Sequence, residues 1–169
     1  MLLPSDKDTI PVAEAAAAEL RDQGLRCAVI PTRSIVQSLA AVAVHDPNQA
    51  FDDSVVSMTR AAGSTRYGAV TIASRDAMTT AGEIRTGDPI GVVAGDVVET
   101  APDMTTTAFA VLDRLLQGGG ELVTLVWGAN SGDPLRTAVR NYVRTEHIDL
   151  EVVEYDGGQP LWPLILGVE

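Results

Sequence analysis

Positive charge is scarce in this 169-residue chain. Its 12 Lys and Arg stand against 23 Asp and Glu, so 12 − 23 gives a formal charge of −11. Such a balance argues against nucleic acid or an anionic membrane as partner and is compatible with a basic protein partner. Cysteine is nearly absent. Cys27 alone forms no internal disulfide, and a reducing cytoplasm is the simplest setting. Cys27 lies in an apolar run and reads as an inert core thiol. No apolar run reaches the roughly 18 residues of a membrane span. The opening Met1-Leu2-Leu3-Pro4-Ser5-Asp6 lacks the basic flank and apolar stretch of a signal peptide. There is no glycine-lysine phosphate loop, so independent ATP binding is unsupported. GxSxG is missing too, and with it any nucleophile-elbow context for a serine. His45 and His147 sit at polar helix ends without metal-site spacing.

Apolar residues make up 46% of the chain, which excludes general disorder, and the length suits one α/β domain over residues 1–169. Met1-Leu2-Leu3 reads as a short strand with no lead-in, as in a domain cut from a longer chain. Ser5 or Asp6 caps an alanine-rich helix over about 7–23, and Gly24 ends it. Residues 25–30 read as a strand. Ile35, Leu39 and Val42 mark a helix over 35–44, and a third helix spans about 49–62. Residues 66–74 form a strand. Residues 83–99 form an antiparallel meander around the Ala94-Gly95-Asp96 turn. Helices over 104–117 and 134–146 alternate with strands at 121–127, 150–155 and 161–168. The expected fold is α/β, with a mainly parallel sheet flanked by helices, a central antiparallel β-hairpin excursion and an antiparallel C-terminal strand.

In such a sheet, ligands meet the loops after the strands' carboxyl ends. Three of these loops carry chemistry. Pro31-Thr32-Arg33-Ser34 stands at a helix start, where free N–H groups, two hydroxyls and a guanidinium suit a phosphate or carboxylate. The plainer reading is a Ser34 cap with solvated neighbours. Arg75 and Asp76 follow the central strand and pair with each other or with a partner's charges. In Asp156-Gly157-Gly158-Gln159-Pro160-Leu161-Trp162-Pro163, the glycines permit close approach. Gln159 there offers donor and acceptor, and Trp162 is either an interface anchor or packed on the sheet. Trp127 reads as core.

Several stretches together resemble one family: Val29-Ile30-Pro31-Thr32-Arg33-Ser34 with Gln37; Tyr67-Gly68-Ala69-Val70-Thr71 with Ser74-Arg75-Asp76; Gly87-Asp88-Pro89-Ile90-Gly91; and the block from Asp156 to Pro163. Their order and spacing are similar to the C-terminal domain of the dihydroxyacetone kinase-like family, whose best understood type is the large subunit of bacterial fatty acid kinase. The resemblance implies a fold related to DegV and dihydroxyacetone-binding proteins. It implies a non-catalytic domain, inactive alone, that docks a DegV-like fatty acid-binding protein. A separate ATP-binding domain of the same parent chain would hold ATP and magnesium and phosphorylate the acyl group. No cofactor or metal is then expected in this domain. The implied partner- or ligand-binding residues are Thr32, Arg33, Ser34, Gln37, Arg75, Asp76, Gly157, Gly158, Gln159 and Trp162. Dihydroxyacetone-binding subunits hold their substrate through a histidine, and neither His45 nor His147 lies in a matching block. Two rival readings are a small-ligand-binding domain for an acyl chain or triose, and an independent phosphatase.

Overall fold

The structure, a computed structural model, describes residues 1–169. It divides into two compact units, Met1–Thr65 and Arg66–Glu169, within the span read as one domain. In the first unit, the Asp6 carboxylate accepts the Asp8 N–H and caps a 3-10 turn at Lys7–Thr9. Helix α1 (Ile10–Asp22) follows, with Pro11 in its first turn, where the missing N–H costs nothing. Gly24, at φ 81°, turns the chain out of it. The strand expected over 25–30 shrinks to a single parallel bridge between Leu2 and Val29. It is held by Leu2 N–H to Ala28 O and Ile30 N–H to Leu2 O, each 2.9 Å. Cys27, read as core, is only half-buried. Helices α2 (Ile35–Ala43) and α3 (Phe51–Ser64) pack together, and Ile30, Ala41, Met58 and Ala62 form the unit's core.

The second unit carries a six-stranded sheet in the order β5-β4-β1-β8-β6-β7. Its strands are β1 (Arg66–Ile72), β4 (Pro89–Val93), β5 (Asp96–Thr100), β6 (Leu122–Trp127), β7 (Glu151–Asp156) and β8 (Leu164–Val168). A short hairpin of β2 (Ala77–Thr79) and β3 (Gly82–Ile84) stands apart from it. The α/β class, the antiparallel hairpin and the antiparallel last strand are as expected. The mainly parallel sheet is not: only β6 and β7 pair parallel, and every other neighbouring pair is antiparallel. Helix α5 (Gly132–Glu146) does make a parallel crossover from β6 to β7, as alternation implies. Helix α4 (Met104–Leu116) joins two strands of the same direction, β5 and β6, but three strands lie between them. One of these is β8, which inserts between β1 and β6, antiparallel to both.

The core of this unit joins Val111, Leu112 and Leu115 of α4 and Val139 and Val143 of α5 to Val70, Leu125, Trp127, Leu164 and Leu166 of the sheet. No helix is long and apolar enough to cross a membrane.

Candidate functional site

The insertion of β8 decides the site's geometry. Strand β7 ends at Asp156 at the sheet edge, and β8 starts at Leu164 on the far side of β6. Residues 157–163 must therefore cross over the carboxyl end of β6. At the crossing lies Gly128, where a Cβ would stand 2.2 Å from the Trp162 carbonyl oxygen and 2.7 Å from that of Gln159. Only a residue without a side chain admits this approach. Gly158, at φ 66°, supplies the left-handed bend that starts the crossing.

The crossing segment is hydrogen-bonded along its length. Gly157 and Gly158 N–H groups donate to the Trp127 carbonyl at 2.9 and 3.1 Å. Ala129 N–H donates to Gln159 O at 3.0 Å, and Gly128 N–H to Pro163 O at 2.9 Å. Asn130 Nδ2 reaches Pro160 O at 3.0 Å, and Thr71 Oγ1 donates to Leu161 O at 2.6 Å. The Gln159 amide turns inward, donating to Val126 O at 3.1 Å and to Trp162 O at 3.0 Å. Its donors hold the segment in shape. What the segment shows outward is Gly157, Gly158, Pro160 and Leu161, the last 75% exposed, with Trp162 half-buried.

Beneath it lies a charged network that sequence reading missed. Trp127, 1% exposed, donates its indole N–H to Glu154 Oε2 at 2.7 Å. Arg140 Nε grips the same carboxylate at 2.8 and 2.9 Å. Hydrogen bonding from Arg140, ahead of that from Trp127, holds the Glu154 carboxyl below its usual range. Arg136 bonds Ser131 Oγ at 2.8 Å and Asp156 Oδ1 at 2.5 Å, and its guanidinium lies 5.4 Å from the Trp127 ring centre. The alternation of Glu154 and Asp156 along β7 and the i, i+4 spacing of Arg136 and Arg140 on α5 were the available signals.

Arg75 and Asp76 follow β1, which runs in the same direction as β6 and β7, so they stand at the same end of the sheet as the crossing segment. They do not pair. Asp76 Oδ1 accepts from the Thr86 N–H at 2.7 Å and its hydroxyl at 2.8 Å, and these bonds lower the Asp76 pKa. Arg75 is exposed and unpaired. Ile72, at the end of β1 beside Thr71, is also exposed.

Thr32, Arg33, Ser34 and Gln37 belong to the first unit. Thr32 is fully buried, and its Oγ1 accepts the Ser5 N–H at 3.0 Å. Gln37 is buried, its Oε1 accepting from Arg33 N–H at 2.8 Å and its Nε2 donating to Thr65 O at 3.1 Å. Ser34 stands at the N-cap of α2 but makes no capping bond with its side chain. Ser5, at φ 61°, places its hydroxyl 2.7 Å from that of Ser38.

A second polar cluster lies at the opposite end of the sheet, around the C-termini of α4 and α5. The Tyr142 hydroxyl donates to both Asp113 oxygens at 2.9 and 2.8 Å, and its ring stacks on Phe109 at 4.0 Å. His147 Nε2 lies 3.2 Å from Asp113 Oδ1. Burial, then the Asp113 hydrogen bond, pushes the phenol from 10.0 up to about 12. A raised acid favours the protonated folded state. Its stabilisation is complete below pH 10 and is lost as pH rises toward 12. In a tyrosinate absorbance titration, one of the 3 tyrosines is expected to ionise near pH 12. Tyr142→Phe should remove that step.

The family of FakA-like C-terminal regions, FakA being a component of fatty acid kinase, matches residues 1–169. An uncharacterised protein of Staphylococcus haemolyticus is 30% identical over all 169 residues, and one of Staphylococcus aureus is 25% identical over the same span. The chain covers 30% of the length of each of these relatives. Among solved structures, the fatty acid kinase B3 protein of Streptococcus pneumoniae, loaded with linoleic acid, superposes with a TM-score of 0.63 at 12% identity. The match covers 96% of this chain and 66% of that one. A fatty acid-binding DegV family protein from Thermus thermophilus gives a TM-score of 0.60 at 13% identity, covering 95% of this chain and 66% of that one. At these identities the two structures speak to the fold.

Proposed function

The chain belongs to the FakA-like C-terminal family of fatty acid kinase, and on that premise we propose that it is a docking region for a DegV-type fatty acid-binding protein. A separate ATP-binding domain of the parent chain would then phosphorylate the acyl carboxylate, with ATP and magnesium held there. This region would supply orientation and recognition, with no bond-making step of its own.

The observation that carries the reading is the crossing segment at the end of the second unit's sheet. It is fixed by hydrogen bonds to β6, β1 and its own backbone, yet it exposes Leu161, with Trp162 half-buried and with exposed Ile72 and unpaired Arg75 at the same end of the sheet. A pre-shaped apolar projection with one unpaired cation gives a partner an anchor at low ordering cost. The rival reading, in which the chain itself captures an acyl chain or triose, calls for a lipid-sized apolar cavity beneath the three loops. In the loop before α2, Thr32 bonds Ser5 and Gln37 bonds Arg33 and Thr65, which supports the docking reading over ligand capture by those two side chains.

Titration calorimetry against a DegV-type fatty acid-binding protein tests the docking reading. Leu161→Asp is expected to weaken binding at least tenfold, about 1.4 kcal/mol or more. Val12→Asp on α1, where Val12 is 65% exposed, should bind like the unsubstituted chain. Equal affinity for all three proteins would remove the crossing segment from the interface.

A further inference from the structure

One side chain of α5 reaches both supports of the crossing segment. Arg136, in the second turn of that helix, donates from Nε to Ser131 Oγ at 2.8 Å and from Nη1 to Asp156 Oδ1 at 2.5 Å. Asp156 ends β7, immediately before the crossing begins. Ser131 in turn donates its hydroxyl to Gly128 O at 2.8 Å. Gly128 is the residue over which the segment passes, and its N–H holds Pro163 at the segment's far end. A single guanidinium therefore ties the entry of the crossing to the loop on which the rest of it lies.

Ser131 gives up an ordinary bond to make this link. It occupies the N-cap of α5, where a serine hydroxyl normally accepts an N–H of the first turn. Here it makes no such bond and stands between Arg136 and Gly128 instead. A local preference set aside in this way points to a constraint from another level, the shape of the loop. The neighbouring cation serves a different end. Arg140, one turn on, grips Glu154, whose other partner is Trp127. That rung joins α5, β7 and β6 and stops short of residues 157–163. We propose that Arg136 is the positioning residue of the docking projection, holding residues 157–163 in shape through Asp156 and Ser131.

Geometry matters here more than charge. The Asp156 side chain is 77% exposed, and an ion pair that open contributes little by attraction alone. What Arg136 adds is a planar fork whose two nitrogens bond two different segments, with the guanidinium 5.4 Å from the Trp127 ring centre. Lysine keeps the charge but has one nitrogen and no plane, so it cannot hold both partners in the same way. The effect on partner binding rests on the docking reading; the effect on the segment's shape does not.

Amide hydrogen exchange of the chain alone reads that shape. Arg136→Lys is expected to speed exchange about fivefold or more at Gly128, Ala129, Gly157 and Gly158, whose N–H groups hold the crossing. Core amides of α4 and β6 should be unchanged. Arg114→Lys, in the pair with Glu99 at 3.2 Å, should leave all of them unchanged. Ser131→Ala cuts the same path, so its effect and that of Arg136→Lys should not add. Unchanged exchange at those glycines and Ala129 in Arg136→Lys, a rise spread evenly over the unit, or full additivity with Ser131→Ala overturns the proposal. In calorimetry against the DegV-type protein, Arg136→Lys should weaken binding about threefold or more with an unchanged thermal midpoint. Normal binding by Arg136→Lys beside weakened binding by Leu161→Asp also overturns it. Where Leu161→Asp binds normally too, the docking reading has failed by itself, and the exchange result still decides the role of Arg136.

Discussion

Trp127→Ala is expected to lower the unfolding free energy of the second unit by about 4 kcal/mol, the range measured for large aromatic deletions in cores. The indole is 1% exposed and belongs to the cluster built from α4, α5 and the sheet. Its removal leaves a cavity at the carboxyl end of β6, under the crossing segment. It also takes a hydrogen bond from Glu154, leaving that carboxylate to Arg140. Domains of this size are stable by only about 5–15 kcal/mol, so a large part of the stability is lost at once. Urea unfolding at neutral pH measures the change as a shift in midpoint. Trp127→Phe is the intermediate comparison, because it keeps one aromatic ring in the core while losing the N–H and the volume of the second ring, and its cost should fall below that of the alanine variant.

The acid side of the same network has a definite sign. The folded-state pKa of Glu154 is depressed, by Arg140 first and then by Trp127. Its contribution is therefore present above the ordinary carboxylate range and lost as pH falls through the folded value.

Gly128→Val is the second large effect. The clash at this position is with backbone: the added Cβ alone meets the Trp162 and Gln159 carbonyl oxygens at 2.2 and 2.7 Å. No rotamer relieves it, so the crossing segment must lift. Lifting breaks the Gly128–Pro163 and Ala129–Gln159 hydrogen bonds and frees the Gln159 amide from Val126. A loss of about 3 kcal/mol is expected from overpacking and unpaired carbonyls together. Partner affinity should fall at least tenfold as the projection loses its shape. Gly157→Ala provides a graded comparison. Its Cβ meets the Gln159 Oε1 tip at 2.3 Å and Val126 Cγ1 at 2.6 Å, which are side-chain atoms able to give way. Thermal unfolding and limited proteolysis of residues 157–163 measure both variants, with Gly128→Val the more labile.

Much of the local structure was legible in the sequence because it is encoded locally. Alanine-rich and periodic segments marked α1 to α5 to within a few residues, and Ala94-Gly95, both at positive φ, turned the β4–β5 hairpin as expected. Strand order was not legible. Alternating helices and strands fix direction, as for β5, β6 and β7, but adjacency depends on where β8 inserts, and that is a tertiary choice. The same choice governs the site. The Gly157-Gly158-Gln159-Pro160 block could be seen as unusual from its residues alone. That Gln159 faces inward follows from the carbonyls of Val126 and Trp162, which needed a donor once the chain crossed β6. Asp76 likewise looked like a partner for the adjacent Arg75. Its carboxylate instead found Thr86, ten residues away, which folding brings back beside it.

Amide hydrogen exchange of this chain, alone and with a DegV-type fatty acid-binding protein, tests the docking account most directly. The prediction is slowed exchange at residues 72–76 and at Leu161 and Trp162, with the polar cluster of Asp113, Tyr142 and His147 unchanged. Slowed exchange at that opposite end or elsewhere, with residues 72–76 and 157–162 unaffected, would contradict it.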